Sequence, residues 1–123
     1  MRIARIDEVP VQDVTHEPVK DCKIQWLISP DDGAPTFSMR RFILGPGGHT
    51  PHHSHEWEHV VYILAGRGKV WVEGNEYDLT AGTALLIAPN EEHHFSAAED
   101  EQLQFLCLVP NWSVQRRAGR ANK

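Results

Sequence analysis

From about residue 22 to residue 110 the chain is a succession of short β-rich runs broken by Gly, Pro and Asp, and no stretch carries helical periodicity. The pattern predicts strands at residues 22–28, 36–44, 60–64, 69–73, 76–79, 84–88, 93–97 and 102–109. Ser29, Pro30, Asp31, Asp32 and Gly33 close the first strand, and the second runs into Gly45, Pro46, Gly47 and Gly48, which read as a loop because they support no ladder. Gly66, Arg67 and Gly68 read as the turn of a hairpin joining 60–64 to 69–73, with a second reversal at Gly74 and Asn75. Alternation is clearest in the last strand. Gln102 and Gln104 face water there, which sends Leu103, Phe105, Cys107 and Val109 inward. Leu106 and Leu108 leave the outer face apolar as well, so a second copy of the chain is expected to cover it and the protein to form a homodimer. Many short strands with closely spaced turns predict an all-β sandwich or barrel, of which a single-domain jelly roll is one form.

The length of 123 residues fits one domain, residues 1–123, with a barrel core at about 22–110 and a C-terminal tail at 111–123. Apolar residues make up 41% and charged residues 24%, which excludes disorder and fibrous repeats. The net charge of -5 argues against nucleic acid and anionic membranes as partners. The basic cluster of Arg116, Arg117, Arg120 and Lys123 reads as a frayed tail. The longest apolar runs, such as 84–88, fall far short of the roughly 20 residues of a membrane helix, and residues 1–9 do not resemble a leader. With only Cys22 and Cys107 there is no disulfide framework, so a cytoplasmic location is expected.

Candidate chemistry lies in the histidines, seven of eight falling between His49 and His94. In His53-Ser54-His55 the imidazoles are two residues apart and share a face of an extended chain. His59 opens a strand, sharing its inner face with Val61 and Ile63, and a later segment offers His93, whose alternation with Phe95 turns both inward. Imidazole is the commonest neutral metal ligand, so four histidines so spaced predict a metal site. His16, His49, His52 and His94 read as ordinary hydrogen-bonded residues.

These residues resemble the two signature motifs of the cupin superfamily. Gly47, His53, His55 and Gly66 match the first, G-x5-H-x-H-x3-E-x6-G, with His59 where Glu is usual. Gly82 and His93 match the second, in which Ala88, Asn90 and Ala97 replace the usual Pro, Gly and Asn. A closer resemblance, over about residues 23–110, is to small single-domain manganese cupins that use four histidines. It implies a jelly roll and a divalent transition ion held by His53, His55, His59 and His93. Manganese leads on the resemblance; Fe, Ni, Cu and Zn are the alternatives.

Four neutral ligands leave such an ion its full double charge, and octahedral coordination leaves two positions open. An apolar pocket for a small-molecule substrate is expected around it, lined by Phe42, Ile63, Phe95, Phe105 and Cys107. Arg40 is either a group that orients an anion or a solvated edge residue. Phe105, Cys107 and Arg40 are the candidate catalytic residues. The leading reading is an oxygenase that cleaves carbon–carbon bonds of a small apolar or aromatic molecule. Against it stand a non-catalytic metal and small-ligand binding protein, and an isomerase or lyase.

Overall fold

A computed structural model describes the backbone of residues 1–117 and the side chains of residues 1–114. Eight strands are present: β1 (Gln12–Asp13), β2 (Lys20–Ile28), β3 (Phe37–His49), β4 (His59–Val72), β5 (Asn75–Thr80), β6 (Ala84–Ile87), β7 (His93–Ala97) and β8 (Leu103–Pro110). A helix, α1 (Asn111–Arg117), follows. All pairings are antiparallel. The two long strands β3 and β4 are bridged twice, by β8 (Phe37 opposite Pro110 through Leu44 opposite Leu103; Val60 opposite Leu108 through Gly66 opposite Leu103) and by β7 (His49 opposite Ser96; Gly68 opposite Ala97 through Val72 opposite His93). That double bridging closes the sheet into a jelly-roll barrel and removes edges from its centre.

The alternation read from the sequence governs burial. Leu103, Phe105, Cys107 and Val109 are all buried, as are His93, Phe95 and Ala97. Leu44, Ile63, Leu103 and Phe105 are 0–1% exposed and anchor the core, each contributing roughly 1.5–3 kcal/mol by leaving water.

Three expectations are corrected. Gly66-Arg67-Gly68 is not a hairpin turn: β4 runs straight through it as one strand of 14 residues, paired to β6 and β8 before it and to β5 and β7 after it. The glycines serve close approach. A Cβ on Gly66, whose φ is +84°, would collide with the Gln102 carbonyl, and one on Gly68 with the Ser96 carbonyl. Gly45–Gly48 does not end β3 but forms a bulge in it, where the register with β2 jumps from Cys22 opposite Leu44 to Lys20 opposite His49. Finally, residues 111–117 of the expected tail form α1. The Asn111 amide N–H donates to the Thr36 carbonyl (2.9 Å) and its side-chain amide to the Ala34 carbonyl (2.6 Å), while Val114 is 1% exposed. The basic cluster lies outside the described side chains. No helix among the described residues is long and apolar enough to cross a membrane.

The N-terminal segment is tied to β2 through buried Gln25, whose side-chain amide donates to the carbonyls of Ile6 (2.8 Å) and Val9 (3.0 Å). That anchoring carries residues 12–16 to a cavity beside the histidines.

Candidate functional site

His59 and His93 stand at the first positions of β4 and β7 and are 6% and 4% exposed. His53 forms an isolated bridge with His93, the two exchanging backbone hydrogen bonds of 3.0 and 3.2 Å, and His55 follows on the connection to β4. The barrel thus gathers the four histidines named from the sequence. Ring centroids are separated by 4.2 Å (His53–His55), 4.9 Å (His59–His93), 5.3 Å (His53–His93), 5.4 Å (His55–His59) and 6.2 Å (His55–His93). As the rotamers stand, no group of three or more described His, Cys, Asp or Glu side chains is arranged to hold an ion.

In His93 and His59 one ring nitrogen is engaged. His93 Nδ1 donates to the Glu91 carbonyl (2.9 Å), an acceptor only, which fixes the tautomer and leaves a lone pair on Nε2. His59 Nδ1 lies 3.3 Å from Cys107 Sγ, and its Nε2 is buried without a hydrogen-bond partner. Burial, then the nearby Arg40 guanidinium, then the other three imidazoles push the His59 pKa far below the ordinary histidine value. Burial also lowers that of His93, against the opposing Glu91 carbonyl. Both rings are neutral, as metal ligation requires.

His94 faces the other way. Its Nδ1 is 2.9 Å from Nδ1 of His52, and its ring stacks on Trp71. Period two across β7 therefore places His93, not His94, with the inner group.

A cavity of about 770 Å³ adjoins the cluster, and His53, His55 and His59 line it. Its aromatic lining includes Phe42, Phe95 and Phe105, stacked at 5.2 Å (Phe42–Phe105) and 4.4 Å (Phe95–Phe105). Cys107 and Arg40 line it too, and Arg40 is no solvated edge residue, being 4% exposed. Ile63 is the exception: it is core and does not line the cavity. Sequence reasoning missed Ile24, Trp26, Thr50, Pro51 and residues 12–16 as lining. The inward position of Trp26 on β2 carried a signal in the alternation with Ile24, whereas nothing local marked 12–16. Trp57 stacks on His55 at 4.4 Å and 6°, and Trp112 of α1 meets Trp57 edge-on at 5.4 Å, so the helix supports the loop that carries His55.

A closed antiparallel barrel with inward histidines on the loop before β4 and at the starts of β4 and β7 defines the cupin class of fold. The chain belongs to the cupin family: residues 40–109 match its Cupin_2 domain. It is similar to the 1-methylthio-D-xylulose 5-phosphate methylsulfurylase of Rhodospirillum rubrum, with 41% identity over 75 residues covering 60% of this chain and 47% of that protein. The chain thus spans about half the length of that curated relative. Among solved structures it resembles the polyketide cyclase RemF of Streptomyces resistomycificus (TM-score 0.85, 30% identity, 89% of this chain and 79% of that one). It also resembles a cupin-2 domain from Rhodospirillum rubrum (TM-score 0.79, 32% identity, 89% and 74%).

Proposed function

We propose that the protein is an enzyme that holds a divalent transition ion, manganese first among the candidates, on His53, His55, His59 and His93 and acts on a small, flat, largely apolar molecule in the adjoining cavity. The observation that carries this reading is the buried, unpartnered Nε2 of His59 among three further imidazoles. A buried polar atom left unsatisfied costs roughly 1–3 kcal/mol and calls for an explanation, which a ligated ion supplies. The spacing also fits. The separations here run from 4.2 to 6.2 Å. Four imidazoles gathered within this span would share one ion if their ring nitrogens were turned to a common point. What remains is ring rotation, since the rings are not arranged to hold an ion as they stand.

When bound, the ion supplies Lewis-acid polarisation of a substrate oxygen and, for a redox-active metal, an electron partner. The chain supplies the rest. Phe42, Phe95 and Phe105 offer flat apolar walls that position a ring system and exclude water, and the Glu91 carbonyl holds His93 in its ligating tautomer. A substrate carbonyl at the edge of the cavity, polarised by an ion held by His53, His55, His59 and His93, has two outcomes open to it. The first is ring closure, in agreement with the name of the polyketide cyclase that the chain resembles, or isomerisation without an oxidant. Oxidative cleavage with dioxygen is the second reading, favoured by the stacked walls of Phe42, Phe95 and Phe105.

Mass spectrometry of products formed from a panel of aromatic polyketones and enols under labelled dioxygen separates the two. Unlabelled isomers or cyclised products above a His53→Ala control support the first, and labelled carbonyl fragments support the second. Absence of both would contradict enzymatic function and leave a metal and small-ligand binding protein.

A further inference from the structure

Arg40 presents a charge problem that the fold does not solve. Its side chain enters the barrel from β3 and is 4% exposed, yet none of the ion pairs among the described residues includes it. Its contacts are the faces of Trp26 and Phe42, with centroids 5.5 and 5.1 Å from the guanidinium carbon, and Cys107 Sγ, to which Nη2 donates at 3.0 Å. Aromatic faces and a thiol are weak partners for a full charge. Nε is buried and has no partner at all. A buried cation without a counter-ion is among the costlier arrangements a protein can keep, and replacing it with an apolar residue of similar volume is often neutral or stabilising. Arg40 lines the same cavity as the histidines and is the only Lys or Arg among its described lining residues.

We infer that Arg40 is the anchor for an anionic substrate: a flat, conjugated molecule whose carboxylate or enolate oxygen completes the guanidinium in the aromatic-lined cavity. The planar fork of Arg pairs with carboxylate and phosphate alike, but the one Lys or Arg among the described lining residues balances the single charge of a carboxylate and not a phosphate dianion. Position favours the same class. Arg40 and His59 meet on one atom, Sγ of Cys107, at 3.0 and 3.3 Å. A molecule with one oxygen on Arg40 therefore extends toward the histidines, and a second oxygen one or two carbons away, as in a β-keto or ortho-hydroxy acid, is the one presented to them. Trp26, whose ring centroid lies 5.5 Å from the guanidinium carbon, also has a buried indole N–H without a partner. The inference takes the cavity as the substrate site, in line with the proposed function, but does not require the ion.

Isothermal titration calorimetry with 1-hydroxy-2-naphthoate, its neutral amide and 1-naphthyl phosphate tests it, on metal-stripped and on metal-loaded protein. The carboxylate is expected to bind about tenfold or more tighter than the amide in both preparations, as for a charge-assisted hydrogen bond to a buried cation. Arg40→Met should abolish that preference while leaving amide affinity in place, with a melting temperature equal to or above that of the unaltered protein. Equal affinities for acid and amide, no binding of the acid up to millimolar concentration, or tighter binding of the phosphate would overturn the inference, and these need no variant. So would a preference that survives Arg40→Met, or one present only with metal. If the protein takes up no metal yet keeps the preference, the metal reading fails and this one stands.

Discussion

His59 concentrates the argument at the scale of single residues, because it stands where the resembling motif has Glu and is at once buried, neutral and unsatisfied at Nε2. Replacing it with Ala should weaken metal affinity by at least the roughly 10–100-fold that loss of an outer partner costs a metal site. The barrel should stay folded, and His94→Ala should change nothing. Competition titration against a chelator checks this, and the reverse ranking would contradict the ligand assignment. The same burial makes the metal-stripped protein acid-sensitive. His59 and His93 have folded-state pKa values below their unfolded value of about 6.5, so the unfolded chain binds protons that the folded chain does not. Stability is therefore fully present above about pH 6.5 and falls as pH drops below it, by up to about 1.4 kcal/mol per pH unit for each group. Melting temperatures of the stripped protein should decline from about pH 6.5 to 5, less steeply in His59→Leu. A flat profile in the unaltered protein would contradict the burial argument.

Among the elements, β7 and β8 were legible and β4 was not, for a physical reason. Alternation is local, so His93, Phe95, Leu103, Phe105 and Cys107 could be assigned inward from their own strands. Gly-x-Gly is ambiguous locally, since a tight turn and close approach by another chain segment both demand the missing Cβ. Only the carbonyls of Gln102 and Ser96, distant in sequence, decide for the second. Helix α1 was hidden similarly: with seven residues it is too short to show a period, and its start is set by bonds from Asn111 to Ala34 and Thr36. Gly66→Ala should therefore destabilise the barrel by more than the roughly 1 kcal/mol of an ordinary positive-φ substitution, because strain and collision add. Urea denaturation measures it, and an unchanged midpoint would mean that β4 does not pass Gln102 as closely as described.

For the molecule as a whole, the four histidines and much of the aromatic lining could be read from the sequence. The cavity's full boundary could not, because residues 12–16 reach it through the anchoring of the N-terminal segment on Gln25. Ile63 was misassigned because facing inward does not distinguish core from cavity lining. The outer face of the barrel carries a second proposal. Val60, Tyr62 and Leu86 are 48%, 46% and 61% exposed, and Val60 lies opposite both Leu86 and Leu108, a contiguous apolar patch on which we place a homodimer contact. Light scattering should give twice the chain mass at micromolar concentration and the single mass for Tyr62→Glu; a monomer before substitution would contradict it. The central claim, an ion held by four imidazoles beside an aromatic-lined cavity, is tested most directly by elemental analysis of the purified protein before and after reconstitution with manganese. The account predicts about one transition ion per chain, lost in the double variant His53→Ala/His55→Ala. Protein that is metal-free as purified and takes up none on reconstitution would contradict it.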